Sequence, residues 1–307
     1  DTDNLKATFL GGPLAARGGI GGGRRGLALE GRIAANALAE FVDLEGMKRL
    51  SGAIDYTGTV RRLPTRRYAM AVQSTLQGLS ADFPEPVGKD AQQQRTLRAE
   101  WVPLDGGSAR LDVNLANDIR LRLLRRVARD AQAYFDAVAI GVGQTPLLPA
   151  RGLAEDARYP EIDADIWMDI VDEFDRSLSG RESAKTTGSR KLPLLPSLRQ
   201  LRVQAEQLKV YGLELDKATL TAAYQPMAQW RIDVSATETA GTLFWKEANG
   251  NQREAVDGKF ERLALGRAGQ DDEASKANQA PDETDLEHFD IPELVLEVRN
   301  FTLYGKP

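Results

Sequence analysis

Residues 201–212, LRVQAEQLKVYG, form an alternating stretch that returns near the end of the chain as residues 294–305, LVLEVRNFTLYG. In both copies apolar residues occupy every second position, which is the pattern of a β-strand with one apolar face. The alternation shifts after the fifth residue of each copy, which we interpret as a break into a second strand. A repeated β unit of this length predicts a structure that extends in one direction.

The rest of the chain continues the β pattern, with turn signals such as Asp105-Gly106-Gly107 and Asn249-Gly250-Asn251 between its segments. Sequential strands with short turns favour an antiparallel meander. The glycine-rich run at 18–26 lacks the Gly-Lys-Ser/Thr of a phosphate-binding loop, and we interpret it as a flexible hairpin loop. The predicted strands before the repeat are 51–60, 68–83, 96–103, 109–124 and 135–142, and those after it are 217–223, 229–236, 241–246 and 256–265.

Two stretches have helical spacing of their apolar residues, a short one at 34–44 and a longer one at 162–178. The carboxylates of the longer stretch predict a solvated outer face. We therefore predict a mainly β fold, a long curved antiparallel sheet that forms a β-groove, with these amphipathic helices packed on or capping it. The predicted domains are a β-groove unit at 1–150, a helix-bearing insertion with a loop at 151–191, and a β-repeat unit at 192–307.

Composition excludes several functional classes. The 307 residues are 42% apolar and 28% charged, with a net charge of −5 and a pI of about 5.3, which argues against binding to nucleic acid. There is no cysteine, and His288 is the single histidine, on the edge of a polar loop that we predict at 269–287. We find no spacing that favours catalysis, a metal site or a cofactor, so we expect a protein that is not an enzyme.

Both ends of the sequence have the character of internal positions, because the sequence begins with Asp1 and contains no signal sequence, and because the second repeat copy stops at Pro307. We expect a piece of a longer protein, with any membrane anchor outside it. The basic stretch at 120–129, RLRLLRRVAR, has two interpretations: a solvated strand face, or a contact with anionic lipid head groups.

Several segments resemble the YhdP branch of the AsmA-like proteins. The match to the central signature of that branch covers Gly143, Pro146, Pro149, Gly152 and Leu153, followed by Ile162, Asp163 and Trp167. Residues 76–89, the strand pair from 195 to 212 and the GTLFW strand at 241–245 are also similar to that branch. The resemblance spans about residues 50–307.

The resemblance implies a periplasmic segment of an inner-membrane-anchored envelope protein in Gram-negative bacteria, related to bridge-like lipid-transfer proteins. It implies a curved sheet whose apolar groove carries phospholipids between the inner and outer membranes. Phospholipid acyl chains are the implied ligands, and envelope proteins of either membrane are further candidate partners. It implies no catalytic residues.

Our candidate groove residues are apolar positions of the repeated strands and of one earlier strand. They are Leu201, Val203, Leu294, Leu296 and Val298, with Leu111, Val113 and Leu115. Trp167 and Phe174 are expected to seat the second helix against the sheet or to plug one end of the groove. The alternative is a structural or protein-interaction module in which the same faces form a closed core.

Overall fold

A computed structural model describes residues 2–20, 26–42, 45–116, 118–128, 133–171, 196–248, 253–265 and 293–303. The fold is mainly β, as predicted, with seventeen strands in these ranges. Contacts between Cα atoms divide the chain into two compact units. Unit 1 comprises Asp1–Arg158 and Asp163–Leu198, and unit 2 comprises Tyr159–Ile162 and Arg199–Pro307.

Unit 1 is a meander of antiparallel neighbours. Each strand pairs with the next, except that β5 pairs with β7 while the short β6 pairs with β4. The last pair, β10 and β11, is parallel. The strands are β1 Thr2–Phe9, β2 Gly12–Gly19, β3 Gly26–Ala34, β4 Leu50–Arg62, β5 Tyr68–Ser74, β6 Leu79–Ala81, β7 Leu97–Pro103, β8 Ala109–Leu115, β9 Ile119–Val127, β10 Ala133–Val142 and β11 Gly152–Asp163, of which Tyr159–Ile162 belong to unit 2.

Unit 2 repeats the same construction on a smaller scale. Strands β12 to β16 pair antiparallel in chain order, and β16 pairs with β17 in parallel. The prediction of an antiparallel meander is therefore confirmed for most pairs, and the two parallel pairs are additions to it. The strands are β12 Leu198–Val210, β13 Leu213–Gln225, β14 Gln229–Ser235, β15 Thr239–Lys246, β16 Ala255–Leu265 and β17 Glu293–Leu303.

Two predicted strands are each divided in the structure. The segment 68–83 separates into β5 and β6 at Leu76, and 109–124 separates into β8 and β9 at Ala116. Both residues have a positive φ, 53° at Leu76 and 52° at Ala116, which ends an extended strand. Neither is a glycine, but Gly78 and the pair Asn117-Asp118 follow within two residues, and our strand predictions overlooked these turn signals. The other differences are β1, β2 and β11, strands that we did not predict; β2 includes Gly18 and Gly19 of the predicted loop.

Each copy of the repeat is one continuous strand, so the predicted break into a second strand is wrong. The shift of alternation lies inside the strand, where Ala205 and Leu208 are both buried and the two residues between them are exposed. On the partner strand Lys217 has a φ of 51°, which turns the pair locally.

The short helix is α1, Ala35–Val42, close to the predicted 34–44. The second stretch is helical over 164–171, while Ile162 and Asp163 still belong to β11. The remainder of the predicted helix, the centre of the loop at 18–26, the loop at 269–287 and His288 lie outside the described residues. Two short 3-10 turns, Glu45–Arg49 and Asp105–Gly107, complete the described elements.

Candidate functional site

The candidate residues of β8 lie on an apolar face of unit 1. Leu111, Val113 and Leu115 stand directly opposite Trp101, Ala99 and Leu97 of β7. On the other side they stand opposite Leu123, Leu121 and Ile119 of β9. Residues directly opposite each other in a sheet project from the same face. The three candidates therefore belong to rows of apolar side chains that run across the strands.

These rows continue through most of unit 1. From β7 they pass to Met70 and Val72 on β5, and from β9 they pass to Val138, Ile140 and Val142 on β10. The row that contains Val113 consists of Leu5, Ala16, Leu29, Gly58, Val72, Ala99, Val113, Leu121 and Ile140.

The candidates of unit 2 also share one face. Leu201 and Leu296 lie at the two ends of one row, and Val203 and Val298 lie at the two ends of the next. Their rows are Leu201, Ala222, Ile232, Leu243, Gly258 and Leu296, and Val203, Leu220, Val234, Gly241, Phe260 and Val298. Leu294 ends a third row, which begins with Tyr224, Trp230, Trp245 and Val256.

Side-chain positions in unit 2 agree with the register. A Cβ built on Gly258 would lie 2.6 Å from Leu296 Cδ2 and 2.9 Å from Leu243 Cδ2. It would also lie 2.9 Å from Cε2 of Phe260. Such contacts leave no room for a side chain, so glycine is required for the close approach of its neighbours. Three large apolar side chains therefore meet above one glycine on the candidate face.

Most of this face is half-buried rather than hidden. Leu111, Val113 and Leu121 are half-buried, while Leu294, Leu296 and Met70 are more exposed, at 59%, 42% and 41%. Among the residues that the structure describes, no large side chain is less than 2% exposed. Protein cores pack densely and normally enclose several large apolar side chains completely. The described apolar face thus lacks the second layer that a closed sandwich core would supply along its whole length.

One part of the face is covered. Ile119, Leu123, Val138 and Val142, on the neighbouring strands β9 and β10, are all buried, and Val138 is only 2% exposed. In unit 1 the apolar rows are therefore enclosed at β9 and β10, and Ala16, Ile54 and Tyr56 are also buried on β2 and β4, whereas Leu5 and Met70 are exposed.

The connection between β10 and β11 leaves this face clear. A Cβ on Gly141 would lie 2.6 Å from the carbonyl oxygen of Gln144 and 2.7 Å from Pro146 Cδ. Gly141 stands opposite Arg120, and Nη1 of Arg120 donates to Oγ1 of Thr145 at 3.1 Å. Gly141 projects from the side opposite to its neighbours Ile140 and Val142. The crossover, which includes part of the sequence signature, therefore runs over the opposite face.

That opposite face is polar in both units. In unit 1, Asp112 accepts from Nε of Arg110 at 2.7 Å and from Nε of Arg122 at 2.8 Å. In unit 2, Asp233 accepts from Arg231 at 3.1 Å and from Oγ1 of Thr242 at 2.6 Å. The arginine hydrogen bond and then the threonine hydrogen bond hold the pKa of Asp233 below its ordinary value of 3.8.

Two concavities of unit 1 also lie against the polar face. One of about 450 Å³ is bordered by Arg17, Glu30, Thr57 and Glu100, and a second of about 950 Å³ extends from it to Lys6. The basic stretch is divided between the two faces. Arg120 and Arg122 lie on the polar side, and Arg125 lies on the apolar side. Arg129 falls outside the described part of the chain.

The two expected plug residues are only partly placed. Trp167 lies in the helical segment 164–171 and is half-buried, whereas Ile170 in the same segment is buried. Phe174 lies outside the described residues, so its expected role stays a prediction.

An aromatic row at one end of the unit 2 face was missed from the sequence. The rings of Tyr224 and Trp230 meet edge to face with 5.2 Å between centroids. Nε1 of Trp230 donates to Glu247 at 3.0 Å, and Nε1 of Trp245 donates to Glu254 at 2.5 Å. The available signal was the alternation of apolar residues in each strand, which places these rings on the candidate face.

Within the described ranges, no three acidic or histidine side chains come close enough together to hold a metal ion. No helix among the described residues is both long and apolar enough to cross a membrane. A family model described as "YhdP protein" matches residues 1–307 of the chain. No curated protein and no solved structure matches it.

Proposed function

Since the chain belongs to the YhdP family over its whole length, we propose that it is a segment of a lipid-transfer protein in the Gram-negative envelope. Its apolar face carries phospholipids between the inner and outer membranes, and the segment itself lies in the periplasm. Acyl chains lie across the cross-strand rows and move along them while head groups stay in water.

The observation that carries this proposal is the continuous, half-exposed apolar face. The row from Leu5 to Ile140 crosses nine strands and presents an aliphatic side chain on each of them except β4, where Gly58 stands. Each methylene that leaves water for such a surface contributes about 0.8 kcal/mol. Because these contacts have no direction, a chain can slide from one row position to the next with little change in binding free energy.

The apolar face also suits a carrier because it contacts lipid through apolar side chains and not through specific polar groups. We propose that the segment performs no catalysis, holds no cofactor and binds no nucleic acid. Proteins of the two membranes are its proposed partners, and they would deliver and receive the lipid.

The second candidate is a structural or protein-interaction module with a closed core. The enclosure of Val138, Ile119 and Leu123 favours it, because those side chains already occupy a local core. On this alternative, the more exposed apolar residues would pack against a partner protein instead of lipid.

Two matched variants in β17 separate the candidates. Leu296 lies on the apolar face and Val295 lies on the polar face, and they are 42% and 49% exposed. We expect phospholipid to co-purify with the parent chain, as measured by mass spectrometry, and to be reduced several-fold in Leu296→Asp but retained in Val295→Asp. A parent chain free of lipid, together with a Leu296→Asp variant that unfolds, would favour the closed core.

A further inference from the structure

In both units an arginine lies beside the apolar rows, at one end of its own strand, and packs against an aromatic ring. In unit 2 the guanidinium carbon of Arg199 lies 4.4 Å from the ring centroid of Tyr224. In unit 1 the guanidinium carbon of Arg125 lies 5.8 Å from the ring centroid of Trp101. Both distances are within the range of cation–π contacts. The same combination is therefore built twice, from unrelated stretches of sequence.

Both arginines lie on the apolar side of their strands. Arg199 is two residues before Leu201 in β12, and Arg125 is two residues after Leu123 in β9. Alternate residues of a strand project from the same face. Their ring contacts agree, because Trp101 stands opposite Leu111 in an apolar row and Tyr224 stands opposite Trp230.

The opposite ends of the same strands are different. There the buried and half-buried pairs are aliphatic: Leu97 and Leu115, Leu115 and Ile119, and Leu208 and Leu215. An amphiphile that lies across the rows therefore meets hydrocarbon at one end and a guanidinium group at the other. This asymmetry matches a molecule with one charged end.

Aromatic residues extend the arginine end in unit 2. Trp230 is buried, and the edge of its ring is fixed by the hydrogen bond to Glu247. Oε2 of Glu247 also accepts from the hydroxyl of Tyr224 at 3.4 Å. Tyrosine and tryptophan are the residues that proteins place where hydrocarbon meets polar head groups. The ring of Tyr224 thus has a cation, Arg199, over its face and an anion, Glu247, at its hydroxyl group.

We propose that Arg125 and Arg199 bind the phosphate of phospholipids whose acyl chains lie on the apolar rows, so that one rim of the face is a head-group rim. The proposal rests on the proposed function. Guanidinium groups bind phosphate oxygens through paired hydrogen bonds, which lysine cannot form in the same way. In unit 2 the carboxylate of Glu247 favours a zwitterionic head group, whose ammonium group it would face.

The test compares two lipids that share their acyl chains. Delipidated protein is titrated with dioleoyl phosphatidylethanolamine and, separately, with dioleoylglycerol, which lacks the phosphate. The rim variant is Arg125→Gln with Arg199→Gln. The matched control is Arg98→Gln with Arg202→Gln, because Arg98 and Arg202 lie in strands of the same sheets on the polar face.

We expect the rim variant to bind phosphatidylethanolamine about tenfold more weakly, since it loses charge-assisted hydrogen bonds, while its affinity for dioleoylglycerol is unchanged. The control should bind both lipids as the parent does. Lysine at both rim positions should recover part of the loss. Glycerophosphoethanolamine, which has the head group without acyl chains, should not displace the bound phospholipid.

Three results would overturn the rim. They are unchanged phosphatidylethanolamine binding in the rim variant, an equal loss in the polar-face control, and displacement by glycerophosphoethanolamine, which would indicate a site for free phosphate esters. If the parent binds phosphatidylethanolamine and dioleoylglycerol equally well and the rim variant is unaffected, the head-group rim is contradicted but the proposed apolar groove is not. A parent that binds neither lipid rejects the proposed function itself.

Discussion

Leu201 and Leu296 lie at opposite ends of one cross-strand row, although they belong to the first and second copies of the sequence repeat. In the repeat alignment Leu201 corresponds to Leu294, and Leu296 corresponds to Val203. The strand register thus displaces the second copy by one row relative to the first. A displacement of two residues keeps every apolar position on the same face, because side chains alternate with a period of two.

Gly258 is expected to be intolerant of a side chain. Gly258→Val would force a Cβ to within 2.6 Å of Leu296 and 2.9 Å of Leu243, so both leucines must move. We expect a loss of about 1–3 kcal/mol in the free energy of unfolding, measured by urea denaturation.

The control for this variant is the next residue, Lys259, whose ion pair with Glu297 is largely exposed. Lys259→Ala should change the free energy of unfolding by less than about 0.5 kcal/mol. Equal stability of the Gly258 and Lys259 variants would contradict the packing described for the apolar face.

Lys89 is a buried cation that orders the loop between β6 and β7. Its Nζ donates to the carbonyl oxygens of Leu76 at 3.0 Å and Asp90 at 2.8 Å, and also to that of Leu79. Lys89→Met keeps the length of the side chain but leaves these acceptors without their donor, and we expect a loss of about 2–4 kcal/mol.

The matched substitution is Lys6→Met, at an exposed position of β1. Thermal or urea unfolding should show a change below about 0.5 kcal/mol for Lys6→Met. If Lys89→Met is equally mild, the three carbonyl groups do not depend on the ammonium group.

Asp233 should make part of the stability of unit 2 depend on pH. Hydrogen bonds from Arg231 and Thr242 favour its charged form and lower its pKa in the folded state. This contribution is present above pH 3.8, the ordinary value, and is lost as the pH falls through the lower folded pKa.

We therefore expect Asp233→Asn to be less stable than the parent at pH 7, by no more than about 1 kcal/mol because the site is partly exposed. The difference should shrink as the pH falls below 3.8. Denaturant unfolding from pH 7 to acid measures it, and a difference independent of pH would show that the carboxylate charge has no role.

The mainly β fold was predictable because strand alternation is a local property. The alternation of Leu201, Val203 and Ala205 identified both the strand and its buried face. By contrast, β11 was missed because its sequence, GLAEDARYPEID, is charged and contains Pro160. It pairs with β10 in parallel, and no local sequence pattern predicts that pairing.

The shared face of the candidate residues could be predicted only in part. Alternation assigns Leu111 and Val113 to one side of β8, but their rows depend on the register of every strand in between. The turn at Ala116 sets that register for β8 and β9, and the turn signal of Asn117-Asp118 indicates a turn without giving the register. The arginines beside the rows could not be predicted for the same reason. Arg125 contacts Trp101 only because β7, β8 and β9 pair in this register.

Photo-crosslinking on the two faces tests the central claim most directly. Benzoylphenylalanine would be placed at Val72 and Leu243 on the apolar face, and at their neighbours Gln73 and Thr242 on the polar face. After irradiation in the presence of phospholipid vesicles, mass spectrometry should detect lipid adducts at positions 72 and 243 and far fewer at 73 and 242. Adducts that are equal on both faces, or that concentrate at 73 and 242, would contradict the proposal that lipid travels along the apolar rows.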